Sequence, residues 1–134
     1  MSNCLYGASF IITGATGLIG STLVRCLLEL NKDVRICIPV RNQEKALALY
    51  GKDAARLNIV EFNLNIDSFA IDYPVDYIIH CASPTEGKYM NDHPVETYEL
   101  ALETTQAFLQ YARNHKVKGM VYVSSLEYYG QNYN

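Results

Sequence analysis

Three glycines at intervals of three residues constrain the fold of this 134-residue chain more than any other feature. Gly14, Gly17 and Gly20 follow an apolar, β-branched run at Ser9–Thr13 and open a run with helical spacing at Leu18–Leu30. Gly14 permits a tight turn out of the strand, Gly17 leaves room for a ligand to approach the backbone, and Gly20 lets the helix pack closely on the sheet. The pattern therefore predicts a strand, a turn and a helix whose N-terminus offers unpaired N–H groups to an anion.

The alternation of strand and helix continues along the rest of the chain. Further strands are predicted at 33–40, 57–62, 75–81 and 120–124, and further helices at Gln43–Tyr50 and 95–115. Because right-handed crossovers return each strand to the same direction, these strands are expected to form one parallel sheet covered by helices on both faces. The expected fold class is α/β, a Rossmann-type doubly wound parallel sheet with strand order 3-2-1-4-5, truncated after strand five. Its ligand crevice would open at the carboxyl ends of strands one and four.

Composition excludes several classes of protein. Hydrophobic residues make up 49% and charged residues 19%, which indicates one folded domain over residues 1–134 and excludes disorder for most of the chain. The formal charge of −3 leaves no basic surplus, so nucleic acid is not expected as a partner. No segment approaches the roughly 18 apolar residues that span a bilayer, and no secretory signal is recognisable. We therefore expect a cytoplasmic protein without a membrane partner.

Two groups of side chains are singled out by their spacing or their apolar surroundings. The apolar residues of the first predicted helix recur at helical intervals and should share one side; they are Leu18, Ile19, Leu23, Leu27 and Leu28. The cysteines occur without a Cys-x-x-Cys pair and are interpreted as reduced, mostly buried thiols; they are Cys4, Cys26, Cys37 and Cys81. No metal site is expected.

The glycine turn, residues 14–20, is predicted to hold the diphosphate of a dinucleotide, although such a turn can also merely connect two elements. The residues assigned to this contact are Gly14, Ala15, Thr16, Gly17, Leu18 and Ile19. An acidic residue that would bind the ribose 2′-hydroxyl of NAD usually follows strand two, roughly 20 residues further on, but here Arg41 stands there. A guanidinium can pair with a 2′-phosphate, so NADP is favoured as the cofactor and NAD remains the alternative.

Four motifs together resemble the extended short-chain dehydrogenase/reductases of the NAD-dependent epimerase/dehydratase type. They are the glycine triplet, Asn63-Leu64 after strand three, the stretch 80–84 after strand four and the stretch 123–130 after strand five. The resemblance spans essentially the whole chain. Within the family, the stretch 82–97 is similar to UDP-glucuronate decarboxylases and their dTDP-glucose 4,6-dehydratase relatives.

The resemblance implies further cofactor contacts at the ends of strands three to five. Asn63 and Leu64 would line the adenine pocket, with Asn63 in place of the usual Asp. The residues that would run past the ribose and the nicotinamide are Cys81, Ala82, Ser83 and Ser124. Judged from the residues alone, Cys81 and its neighbour His80 are more often packed or backbone-bonded residues of a buried strand than reactive groups.

The resemblance also implies two catalytic residues. Ser125 matches the serine whose hydroxyl holds the reacting substrate oxygen, and Glu127 matches an acid of the dehydratase and decarboxylase branches. Leu126 replaces the acid that precedes Glu127 in dehydratases, which argues against dehydration by an adjacent acid pair. From the residues alone, Ser125 also fits a turn cap and Glu127 a solvated loop acid.

The tyrosine and lysine that complete the chemistry of this family are absent. None of the eleven tyrosines has a lysine four residues later. We therefore expect this chain to be an N-terminal fragment of a longer enzyme, and to be inactive alone. The longer enzyme would remove a hydride from a sugar hydroxyl of a nucleotide sugar. A non-catalytic NAD(P)-binding regulatory module and an NADP-dependent carbonyl reductase of the same family remain alternatives. Family dimers form through helices such as 95–115, so the resemblance also admits a homodimer.

Overall fold

A computed structural model describes residues 5–30, 33–64, 66, 69–85 and 87–125 of the chain. The strands are β1 (Ser9–Thr13), β2 (Arg35–Val40), β3 (Leu57–Glu61), β4 (Tyr77–His80) and β5 (Gly119–Tyr122). The helices are α1 (Leu18–Leu30), α2 (Gln43–Tyr50), α3 (Gly87–Asp92) and α4 (Pro94–Asn114), with a 3₁₀ helix at Gly51–Arg56.

The strands form one parallel sheet in the order β3-β2-β1-β4-β5. The register pairs Thr13 with His80 and His80 with Tyr122, so the last residues of β1, β4 and β5 lie side by side. Val40 at the end of β2 likewise pairs with Glu61 at the end of β3. The predicted doubly wound sheet and its strand order are therefore confirmed, and the segments that follow the five strands share one edge, called here the carboxyl edge.

Each face of the sheet carries its own hydrophobic core. On one face, α1 and α2 bury residues such as Val24, Leu28 and Tyr50 against Phe10 and Ile12 of β1. On the other face, α4 buries Ala107, Phe108 and Tyr111, with Ile11 of β1 among their partners. All five residues of β1 are buried, as expected for a central parallel strand covered on both sides, whereas the edge strands β3 and β5 are partly exposed.

Local signals explain where α2 begins and ends. The side chain of Asn42 caps its N-terminus by accepting a hydrogen bond from the Lys45 N–H at 2.8 Å. At the other end Gly51 adopts a φ of +52° and its N–H donates to the Leu47 carbonyl. These caps fix α2 as a helix of 8 residues between the end of β2 and the 3₁₀ helix.

Several predicted strand limits are wrong. The strand predicted at 33–40 begins at Arg35, the one at 57–62 ends at Glu61, the one at 75–81 spans Tyr77–His80, and the one at 120–124 spans Gly119–Tyr122. The apolar residues Phe62 and Val75 are buried although they lie outside the strands. An apolar side chain at these two positions therefore indicates burial. It does not indicate membership of a strand, because a strand also needs hydrogen bonds to the backbone of a neighbouring strand. The short helix α3 buries no residue and gave no apolar pattern to recognise.

Burial divides the predicted apolar side of α1, and it contradicts the expectation for the cysteines. Leu18 and Ile19 are 85% and 51% exposed, because they occupy the first turn of α1 beyond the end of β1; Gly20, Val24, Leu27 and Leu28 form the buried side instead. The cysteines are not mostly buried either: Cys26 is exposed, Cys81 is half-buried and Cys37 alone among the described cysteines is buried. Cys4 lies outside the described residues.

Candidate functional site

The glycine turn joins β1 to α1 at the carboxyl edge, and two of its glycines are required by close backbone contacts. Gly14 has a φ of +65°, and a Cβ on it would lie 2.7 Å from the Cys81 carbonyl carbon. A Cβ on Gly20 would overlap the Gly14 carbonyl group, with 2.7 Å to its carbon. Gly20 therefore permits close packing of α1 on the turn itself, rather than on the strands as the sequence suggested.

Gly17 is less crowded than the other two glycines of the turn. A Cβ on Gly17 would approach the Gly14 oxygen at 3.3 Å, closer than ordinary van der Waals contact, and would meet no other atom within 4 Å apart from its chain neighbours. Gly17 is exposed, as are Leu18 and Ile19 at the start of α1. Packing within the chain therefore constrains position 17 through one oxygen, less tightly than positions 14 and 20. An exposed glycine there also leaves the backbone accessible to a ligand.

The same turn contains backbone donors that the helix itself does not use. The Gly17 N–H donates to the Gly14 carbonyl at 2.9 Å, and the Ser21 N–H makes the first i to i−4 bond, to the Gly17 carbonyl at 3.0 Å. The amides of Leu18 and Ile19 precede that bond and lie where a helix has no carbonyl one turn earlier to offer. Together with the positive end of the helix dipole, these amides of two exposed residues form a cradle suited to a diphosphate.

A buried hydrogen-bond network joins β1 to β4 beside this cradle. The hydroxyl of Thr13, 1% exposed, accepts bonds from the N–H groups of Cys81 at 3.1 Å and Ala82 at 3.0 Å. It also lies 2.8 Å from Nδ1 of His80, and His80 Nε2 lies 3.2 Å from the Thr105 hydroxyl on α4. The network holds the segment after β4 against the glycine turn.

The hydrogen positions in this network are determined by its donors. Because the Thr13 oxygen already accepts two N–H bonds, its own hydrogen is the one available to His80 Nδ1. His80 Nε2 then carries the ring proton and donates to Thr105, whose hydroxyl donates to the Ala101 carbonyl at 2.8 Å. Burial lowers the pKa of His80 below its ordinary value, consistent with a neutral imidazole. His80 is thus a structural residue that links the two strands.

The residues predicted at the other strand ends also lie along the carboxyl edge. Arg41 directly follows β2 and is exposed, and Asn63, after β3, is exposed with its amide donating to Glu61 at 3.3 Å. Leu64 is half-buried and adopts a φ of +63°. The topology brings these residues to the same edge as the glycine turn, and their predicted contacts with a cofactor remain predictions.

The segments after β4 and β5 complete this edge. Cys81 and Ala82 are half-buried beside Gly14, while Ser83 is exposed and its hydroxyl donates to the Pro84 carbonyl at 3.4 Å. Ser124 and Ser125 follow β5 and are exposed, and the preceding Val123 N–H donates to the His80 carbonyl. Glu127 lies outside the described residues. Ser125 therefore belongs to the same edge as the cradle, and its catalytic role remains a prediction.

Sequence reasoning did not identify Thr13 as part of the site, nor Tyr50, whose hydroxyl reaches the turn from α2. A polar residue ending an otherwise apolar strand was the available signal for Thr13.

In the part of the chain that the structure describes, no group of three His, Cys, Asp or Glu side chains could hold a metal ion. Over the same residues, no helix has the length and apolarity needed to cross a membrane.

Solved structures of larger proteins share this fold. Pen from Bacillus thuringiensis matches with a TM-score of 0.79 and 22% sequence identity over 92% of this chain and 39% of its own. The UDP-Glc/GlcNAc 4-epimerase of Campylobacter jejuni matches with 0.79 and 20% over 95% and 40%. A UDP-glucose-4-epimerase from Stenotrophomonas maltophila, solved with bound NAD and formylated UDP-arabinopyranose, matches with 0.78 and 16% over 95% and 40%.

These likenesses concern the fold, because every identity is below 25%. The chain spans about 40% of the length of these proteins. No match was found among curated protein sequences. The sequence model of the NAD dependent epimerase/dehydratase family matches residues 10–134, nearly the whole chain. The chain therefore belongs to the NAD-dependent epimerase/dehydratase family.

Proposed function

We propose that residues 1–134 form the NAD(P)-binding domain of an epimerase/dehydratase-type oxidoreductase that acts on a nucleotide sugar through a transient keto-sugar. The observation that carries this proposal is the asymmetry of the glycine turn. Gly14 and Gly20 are closed in by several backbone atoms of the chain, whereas Gly17 has one tight contact, with the Gly14 oxygen at 3.3 Å, and is exposed beside the N-terminus of α1. A backbone that is bare on its solvent side at a helix N-terminus suits a diphosphate.

The glycine turn would bind the diphosphate through its amides. The contacts would come from residues 14–19, with the N–H groups of Leu18 and Ile19 as donors at the start of α1. Asn63 and Leu64, at the end of β3, would face the adenine. Cys81, Ala82, Ser83 and Ser124 would run along the ribose and nicotinamide. This arrangement follows the strand order. Strands β1, β2 and β3 are added toward one edge of the sheet and β4 and β5 toward the other, so the crevice between the two halves opens at the carboxyl ends of β1 and β4.

The catalytic part of the proposal concerns the segment after β5. A bound nicotinamide supplies the hydride acceptor for oxidation of a sugar hydroxyl. Ser125 would hold the oxygen of that hydroxyl, and Glu127 would act as an acid or base beside it. The proton-accepting tyrosine of the family would come from a longer protein; a Tyr-x-x-x-Lys motif downstream in the reading frame would support this, and an in-frame stop codon after position 134 would contradict it.

Calorimetric titration of the folded chain with NADH and NADPH tests dinucleotide binding directly. We expect saturable binding that ADP displaces, because both ligands would use the same diphosphate cradle. A chain with the circular dichroism of a folded α/β protein that binds neither dinucleotide would overturn the proposal.

Cofactor preference depends on Arg41, the exposed residue after β2. We propose that its guanidinium pairs with the 2′-phosphate of NADP. Arg41→Ala should raise the Kd for NADPH about tenfold or more, the effect of losing one charged hydrogen bond, and leave the Kd for NADH nearly unchanged. Lys52→Ala removes the same charge from an exposed position on the 3₁₀ helix and is the matched control. Unchanged NADPH binding in the Arg41 variant would exclude this role.

We also propose that the outer face of α4 packs against a second copy of the protein. Val95, Tyr98, Leu102 and Leu109 recur at helical spacing there and are 42% to 68% exposed. Sedimentation at twice the 15.1 kDa chain mass would support a dimer, and Leu102→Glu should dissociate it. A wild-type chain that sediments as a monomer at high concentration would contradict this proposal.

A further inference from the structure

Tyr50 connects the end of α2 to the glycine turn through one buried hydrogen bond. Its side chain is 4% exposed and packs in the core formed by α1, α2 and the sheet. Its hydroxyl donates to the Ala15 carbonyl at 2.6 Å, across a sequence separation of 35 residues. Ala15 is itself fully buried, so this carbonyl depends on a protein donor rather than on water.

The bond determines which way the neighbouring amide points. A trans peptide is planar, and its C=O and N–H groups point in opposite directions. Cis peptide bonds are absent from the described part of the chain. Because the Ala15 carbonyl points to Tyr50 in the core, the Thr16 N–H points away from the core. The two residues that follow Thr16, Gly17 and Leu18, are exposed.

Tyr50 is itself held in place. The guanidinium of Arg25 lies 5.8 Å from the centroid of the Tyr50 ring, and the same group donates to the Leu49 carbonyl at 2.9 Å. Burial raises the pKa of Tyr50 to about 12 despite the opposing effect of Arg25, so the phenol keeps its proton at neutral pH. The hydroxyl is therefore a permanent donor on a side chain with little freedom to move.

We propose that Tyr50 is a positioning residue of the diphosphate cradle: its hydroxyl holds the Ala15–Thr16 peptide so that the Thr16 N–H faces the bound diphosphate. This inference rests on the proposed dinucleotide-binding function. Without the phenolic hydroxyl, the peptide loses the bond that opposes its rotation, and the Thr16 N–H becomes one fewer oriented donor. A residue on α2 that never touches the cofactor thus contributes to the affinity for its diphosphate.

The test compares two buried tyrosines that each lose only a hydroxyl. Tyr50→Phe removes the bond to Ala15, whereas Tyr111→Phe makes the same change on α4, in the core on the opposite face of the sheet. Calorimetry with NADH should give a Kd about fivefold higher for Tyr50→Phe, the equivalent of one ordinary hydrogen bond, and an unchanged Kd for Tyr111→Phe. Adenosine, which has no phosphate, should bind both variants as it binds the wild type.

A spectroscopic measurement on the wild-type chain makes the test independent of how well the variants fold. In ¹H–¹⁵N correlation spectra, the Thr16 amide resonance should shift when ADP is added, as expected for a donor that gains an anionic acceptor. An unshifted Thr16 amide during a titration that moves the Leu18 and Ile19 amides would overturn the inference.

The outcomes separate the inference from the proposed function. If the wild type binds NADH and Tyr50→Phe binds it equally well, the positioning role is wrong and the proposed function stands. If Tyr50→Phe loses affinity for NADH and adenosine by the same factor, the hydroxyl has only a structural role and the inference is again overturned. If the folded wild type binds neither NADH nor ADP, the proposed function fails and the inference fails with it.

Discussion

Replacing Thr13 by valine removes the oxygen on which the contact between β1 and the segment after β4 depends. The two side chains have nearly the same shape, so the packing of this buried position is kept. The substitution leaves His80 Nδ1 without a donor at a ring that is 1% exposed, and it leaves the N–H groups of Cys81 and Ala82 without their acceptor.

The expected cost follows from these three bonds. A buried acceptor left unsatisfied costs about 1–3 kcal/mol, and each amide of the half-buried pair adds about 0.5–1.5 kcal/mol. Burying a methyl group in place of a hydroxyl in a strand returns about 1 kcal/mol. The loss of hydrogen bonds therefore outweighs the gain, and Thr13→Val should lower the free energy of unfolding by about 3 kcal/mol.

Urea denaturation at neutral pH, followed by circular dichroism, measures this difference. Thr22→Val is the matched control, because the Thr22 hydroxyl is exposed and bonds only the Leu18 carbonyl within α1; its effect should stay within about 0.5 kcal/mol. Thr105→Val removes one bond to His80 and should fall between the two. A loss for Thr13→Val within about 0.5 kcal/mol of the control would refute the network as a stabilising feature.

Three further predictions concern the turn, the buried histidine and the cysteines. Gly17→Ala should lower the unfolding free energy by about 1 kcal/mol, because its Cβ would press on the Gly14 oxygen, and should weaken NADH binding about tenfold. Gly20→Ala, whose Cβ overlaps backbone, should prevent stable folding; urea titration measures both stabilities and calorimetry the binding. Because burial lowers the pKa of His80 from 6.5, the unfolded chain binds its proton first, so the unfolding free energy should fall as pH decreases below 6.5, by at most about 1.4 kcal/mol per unit. Exposed Cys26 should react with a thiol reagent near neutral pH. Cys37 should react only after unfolding, because burial shields its thiol and raises its pKa to about 12; mass spectrometry of labelled peptides measures both reactions.

Each of these predictions has a result that would contradict it. Normal NADH binding by Gly17→Ala would mean that no ligand approaches the backbone there. A pH profile that is equally steep in His80→Gln would assign the titration to another group. Labelling of Cys37 at the rate of Cys26 in the native chain would contradict the burial of β2.

The limits of a helix or strand could be predicted where residues within the segment or beside it determine where it begins and ends. The limits of β1, α1 and α2 agree with the sequence predictions, because the glycines end β1 and begin α1, and the Asn42 cap and Gly51 bound α2. The limits of β2 to β5 differed, because a strand extends only as far as its neighbour offers backbone partners. The strand order was predictable from the alternation of elements and the handedness of their connections.

The candidate site was predictable only in part. The glycine turn and the residues after each strand could be named in advance, since parallel strands bring their carboxyl ends to one edge. Their individual contacts with a cofactor and the roles of Ser125 and Glu127 remain predictions. Thr13 and His80 could not be paired in advance, because 67 residues separate them and their contact depends on the register of β1 and β4.

The sequence by itself determined the alternating pattern, the sharp turn after the first strand and the family of this chain, because these depend on the identity and spacing of nearby residues. Tertiary structure decided how tightly the chain packs around each glycine of the turn, and it brought Tyr50 to the Ala15 carbonyl. Such contacts join residues far apart in the chain. Their existence is fixed only when both faces of the sheet are packed, since distances of a few tenths of an ångström decide whether a hydrogen bond forms or a methyl group fits.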